Sequence, residues 1–143
     1  MRQGPILASL LAAAAAAPAL AASLQVSGAW VPPAEQIGAD VPLYLTVKNT
    51  GGAPDALLRV HCPVAHFTEK RTVDPGEGGT AHREVNSIPV PANADLRFEP
   101  EGYHVVLLQT TQPLRAGDTF SCALSFKEAG RQEVEVRVGD GPP

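Results

Sequence analysis

Val41-Pro42-Leu43-Tyr44-Leu45-Thr46-Val47-Lys48, followed by Asn49-Thr50-Gly51-Gly52, decides the fold class. Val41, Leu43, Leu45 and Val47 alternate with Pro42, Tyr44, Thr46 and Lys48. Successive side chains of a strand point to opposite faces, so this spacing of two predicts a half-buried β-strand. The Asn-Thr-Gly-Gly run then turns the chain.

The same grammar repeats on both sides. Upstream, Leu24 to Trp30 reads as a strand that Val31-Pro32-Pro33 ends, because proline cannot donate to a ladder. Downstream, Ala56 to Cys62 and Ala65 to Val73 read as strands around Pro63. Asp74-Pro75-Gly76-Glu77-Gly78-Gly79 is the clearest hairpin connection, with Thr80 to Val85 returning antiparallel. Ile88 to Pro91, Leu96 with Phe98, His104 to Thr110, Thr119 to Lys127 and Glu133 to Val138 complete the series. Helical periodicity is almost absent. Eight or nine short strands with turn signals between them predict an all-β, two-sheet Greek-key sandwich, in which Trp30 and Phe126 read as core.

At the start, Arg2, the apolar run from Pro5 to Ala17 and Ala19-Leu20-Ala21 have the form of a secretory signal over residues 1–21. The expected domain is 22–138, with 139–143 as a loose tail. No later stretch approaches the ~20 apolar residues of a membrane span, and no cysteine stands at the cleavage point to carry a lipid. A periplasmic or secreted location follows from this reading. The net charge of -4 becomes more negative once Arg2 leaves, which argues against nucleic acid or an anionic membrane as partner.

The chain has two cysteines, Cys62 and Cys122. Cys62 shares a face with Leu58 and Val60, and Cys122 with Phe120, Leu124 and Phe126, so both thiols point inward. In an oxidising compartment such a pair becomes a disulfide.

Chemistry rests on four histidines: His61, His66, His82 and His104. Imidazole is the commonest transition-metal ligand, although none of the four sits in an H-x-x-x-H spacing. His104 shares its strand face with Val106 and Leu108. Folding the hairpin about Gly76 and Glu77 sets Arg71 opposite His82 and Val73 opposite Thr80, within one register step. His66 reaches the same pocket only through a bulge, and His61 faces away from Leu58 and Val60. The chain contains no G-x-S-x-G, no H-E-x-x-H, no P-loop and no dinucleotide fingerprint. Nor does any carboxylate pair stand out as acid and base, so no enzyme activity is expected.

Several motifs occur in an order shared with one family. These are Ser27-Gly28-Ala29-Trp30, the Leu43 to Gly52 stretch, Ile88-Pro89-Val90-Pro91-Ala92, Gly102-Tyr103-His104, and Gln112-Pro113-Leu114 followed by Gly117-Asp118-Thr119-Phe120. From about Val26 to Val138 the chain resembles the periplasmic copper chaperones of the PCu(A)C type. The resemblance implies a cupredoxin-like sandwich, a copper ion bound through histidine and methionine, and partners that accept copper during cytochrome c oxidase assembly.

Carried over position by position, the family's terminal histidine-x-methionine becomes His104 and Val106. The methionine after the hairpin becomes His82, the first histidine Arg71, and its nearby methionine Val73 or an adjacent residue. The chain's one methionine is Met1. What remains is a histidine-based site of His82 and His104, with His66 as candidate third ligand, for copper(I) or copper(II). The alternative is a metal-free sandwich in which Arg71 replaces the metal's charge and the domain serves as a protein-interaction module.

Overall fold

The computed structural model describes residue 4 and residues 23–76 and 79–143. Gly4 apart, the expected signal peptide lies outside the described residues, as do Glu77 and Gly78 of the hairpin tip. Ten strands follow one another: β1 (Leu24–Val31), β2 (Val41–Asn49), β3 (Asp55–His61), β4 (Ala65–Gly76), β5 (Gly79–Glu84), β6 (Ile88–Val90), β7 (Ala94–Arg97), β8 (His104–Thr110), β9 (Thr119–Phe126) and β10 (Gly130–Val138). The described residues contain no helix. The count exceeds the expected eight or nine because β6 and β7, read as extended crossings, each find a partner of their own.

Hydrogen bonding runs β5-β4-β8-β2-β1-β10-β9-β3-β6, with β7 added beside β2. Among the described strands only β1 and β10 run parallel. Val41, Leu43, Leu45 and Val47 are all buried, as their alternation requires. β2 lies along β1 on one edge. On the other, Val41–Leu43 pair with β8 and Thr46–Asn49 with β7. The sheet divides at this point. β8, β4 and β5 lean away as one layer while β1, β10, β9, β3 and β6 form the other, and β2 belongs to both.

The space between holds Leu43, Leu57, Ile88, Leu107, Leu114 and Leu124 with Val31, Val47, Val105 and Val136, all fully buried. Each such side chain contributes about 1.5–3 kcal/mol on burial. Pro89 sits on β6 at the end of the hydrogen-bonded path, where a missing N–H costs nothing.

Cys62 and Cys122 form a disulfide with their Cα atoms 4.4 Å apart. The register Val60↔Leu124, His61↔Ala123 simply continues into the pair. Phe126 is buried as expected. Trp30 is not: it is half-buried and rests on Tyr44, ring centroids 5.0 Å apart.

Asp55 fastens the β9–β10 turn. Its carboxylate accepts hydrogen bonds from the N–H groups of Ala56 (2.7 Å), Glu128 (2.8 Å) and Ala129 (2.9 Å). Hydrogen bonds to a charged acceptor are the stronger kind, so Asp55→Ala should lower unfolding free energy by about 1–3 kcal/mol. Denaturant unfolding of the variant beside the parent checks this; an unchanged midpoint refutes it.

Candidate metal centre

The hairpin register differs from the expected one. Val73 pairs with His82 and Arg71 with Glu84, while Gly76 and Gly79 close a two-residue loop. The ladder runs out to Gly76 paired with Gly79, which moves every pair along by two. A shift of two preserves the face, so Arg71, Val73, His82 and Glu84 stay on one side. Arg71 also pairs with His104 across β8, which adds His104 and Val106 to that side.

His104 opens β8 and is 4% exposed. Its Nδ1 lies 3.0 Å from the Gly102 carbonyl. A carbonyl only accepts, so Nδ1 carries the proton, and in the neutral ring Nε2 keeps the free lone pair. His82 stands exposed on β5. The two rings meet across β4, centroids 5.3 Å apart and almost perpendicular at 86°. Two imidazoles sharing one metal at ~2 Å from each nitrogen have centroids roughly 5–6.5 Å apart.

Arg71 would oppose a cation if it stood alone, but it does not. Its Nε and Nη2 both donate to Glu69 Oε2, at 2.8 and 2.6 Å. The ion pair turns a full positive charge into a nearly neutral dipole beside the rings. Sequence reading passed over Glu69; the available signal was its position two residues before Arg71 on the same strand face.

The other candidates stand apart. β4 keeps a regular register against β8 from Phe67 to Arg71, so parity turns His66 to the opposite face. There it is exposed, its ring 6.2 Å from Phe67. His61 is exposed at the end of β3. Val106 lies between Pro42 and Glu69, and Val73 is half-buried beside His82. Both cysteines are in the bridge. Among the described residues no three His, Cys, Asp or Glu side chains gather as a metal group.

A separate cleft of about 650 Å³ opens beside Trp30, Tyr44, Arg97, Phe98 and Pro100. Burial raises the Tyr44 phenol above its ordinary pKa. The folded state therefore favours the protonated phenol: the associated stability is present below the unfolded value of about 10 and is lost as pH rises through the folded value. The chain has two tyrosines, Tyr44 and Tyr103. Alkaline titration followed by phenolate absorbance should show Tyr44 ionising after a model tyrosine, and its step should vanish in Tyr44→Phe.

Residues 24–138 match the family described as "Putative lipoprotein LpqE-like". The chain belongs to the LpqE-like family. A relative within reach of this LpqE-like chain is "Putative lipoprotein Lxx21020" of Leifsonia xyli subsp. xyli. It is 30% identical over 118 residues, covering 82% of this chain and 70% of that protein.

Among solved structures, apo-DR1885 of Deinococcus radiodurans is 25% identical with a TM-score of 0.62, covering 100% of this chain and 93% of that one. The CuI form of DR1885 is also 25% identical, with a TM-score of 0.64 over 87% and 85%. The copper-bound PCuAC domain from PmoF2 has a TM-score of 0.70 at 19% identity, over 85% of this chain and 94% of that domain, and bears on the fold alone. The LpqE-like chain thus has the cupredoxin-like sandwich of PCuAC domains. No helix among its described residues is long and apolar enough to cross a membrane.

Proposed function

We propose that this LpqE-like chain is an exported copper-binding protein that carries one copper ion between His82 and His104 and hands it to a copper-accepting protein, such as a component of cytochrome c oxidase assembly. The observation that carries the reading is the 5.3 Å approach of the two rings, with the Nδ1 of His104 tied down so that its Nε2 is free. Copper-bound relatives of the same fold support it, and the lipoprotein names of the family support export. The role is carriage rather than catalysis. Two imidazoles suit a two-coordinate copper(I) that an incoming ligand can displace, and the exposed His82 is where such a ligand would arrive. The Arg71–Glu69 pair weakens the rival reading of a metal-free module, because an arginine already neutralised does not stand in for a cation.

A copper(I) competition titration tests the proposal. One copper per chain is the expected result, and failure to compete with a weak chelator would reject it.

The lost thioether offers a second check. Val106 shares the face of His104 two residues along, so Val106→Met restores a soft sulfur where the family's motif has one. Copper(I) affinity should rise about 10-fold or more, with little change for copper(II). The unfolding midpoint, measured in parallel, reports any overpacking at this 7% exposed site.

A further inference from the structure

The histidine pair is half of a coordination sphere. Zinc(II) takes four ligands, and copper(II) also prefers more than two. Among the described residues nothing completes the set: no third metal-binding side chain joins the pair, Glu69 is engaged by Arg71, and both cysteines are bridged. His82 is exposed, so the pair is open to solvent on its side of the sheet.

Two further features lie on that face. Phe67 is 61% exposed, a large aromatic side chain in water. It pairs with Leu108 in the same register that pairs Arg71 with His104, and residues an even number apart share a face. Phe67 therefore stands about 13 Å along β4 from Arg71, on the side of the histidines. The second feature is charge. Around the pair lie Glu69, Arg71 and Glu84, a balance of one negative charge per chain. Two such faces brought together carry two negative charges and repel, and one divalent ion cancels both.

We propose, building on the reading of His82 and His104 as ligands, that a divalent metal ion joins two copies of this chain face to face, with His82 and His104 of each copy forming a four-imidazole site. The contact is isologous: the same patch serves both copies, each Phe67 is covered, and the metal lies on the two-fold axis. Without metal the faces repel and the protein stays a monomer. Copper(I), satisfied by two nitrogens, binds one per chain and leaves it monomeric.

Light scattering on the purified protein during zinc titration reads the outcome. The expected result is a doubled mass that saturates at one zinc per two chains, reverts with a chelator, and is lost in His82→Ala, whose exposed side chain makes it a safe substitution. Phe67→Ser should weaken dimerisation at least about 10-fold while copper(I) binding is kept. Zinc bound one per chain at monomer mass would overturn the dimer and leave the copper reading standing. Zinc dimers that persist in His82→Ala would overturn the four-imidazole site. Loss of both zinc and copper(I) binding in the parent protein would remove both proposals.

Discussion

His104→Ala should lower copper(I) affinity by at least about 100-fold, since even residues that merely orient a metal ligand are worth 10–100-fold. His104 is the fixed half of the pair: buried at the head of β8, its Nδ1–H committed to Gly102, its free Nε2 presented without rotation. His82 is the open half, exposed on the hairpin, and can be approached by water or a competing ligand. The two variants should therefore differ. His104→Ala removes the preorganised ligand and leaves one exposed imidazole no better than any surface histidine. His82→Ala leaves a buried nitrogen that still binds weakly. Competition titrations of both variants give the order, and equal affinities for His104→Ala and the parent would place the copper elsewhere. Because a buried ring is removed, near-ultraviolet circular dichroism should accompany the titration to establish that the fold persists.

The second large effect concerns stability. Replacing Cys62 and Cys122 by serine should cost about 4 kcal/mol, the chain-entropy value for a bridge closing 60 residues. The loop it closes contains β4, β5, β6, β7 and β8, so the entire histidine-bearing layer is tethered at both ends by this bond. Burying two hydroxyls at positions exposed by only 1% and 0% would add to the loss. Denaturant unfolding of the parent with and without reductant, beside the double variant, measures it. A reduced parent as stable as the oxidised one would refute the estimate.

Much of this architecture was legible from residue type. β2 declared itself because its apolar residues alternate strictly, and the disulfide because Val60 with Cys62 and Leu124 and Phe126 with Cys122 face inward; Leu58, read on the same inward face, is instead 44% exposed, because a register shift between Leu57 and Arg59 puts Leu57 in the core in its place. His104 was legible through the Gly-Tyr-His motif and its parity with Val106. The register of the β4–β5 hairpin was not. Asp74 to Gly79 offers several residues that tolerate a turn, and only the demand for a two-residue loop selects Gly76 and Gly79 as its flanks. Glu69 was missed because an ion pair within one strand leaves no mark in hydrophobic periodicity. Trp30 was misjudged because a large aromatic suggests core, whereas here Tyr44 covers one side of it and a cleft opens beside it.

The parallel pairing of β1 with β10 carries a kinetic consequence. Trp30 and Arg137, neighbours in the ladder, are 107 residues apart in the chain. A nearly emerged polypeptide therefore has β1 waiting for its outer partner, and the loop-closure cost is met before that contact can repay it. Such non-local topologies fold in milliseconds to seconds rather than microseconds. Folding of this domain should accordingly be a single, late, cooperative event. The strands that hold the two histidines would remain unassembled until the last one is in place, so a nascent or partly translocated chain would have no preformed grip on a metal ion.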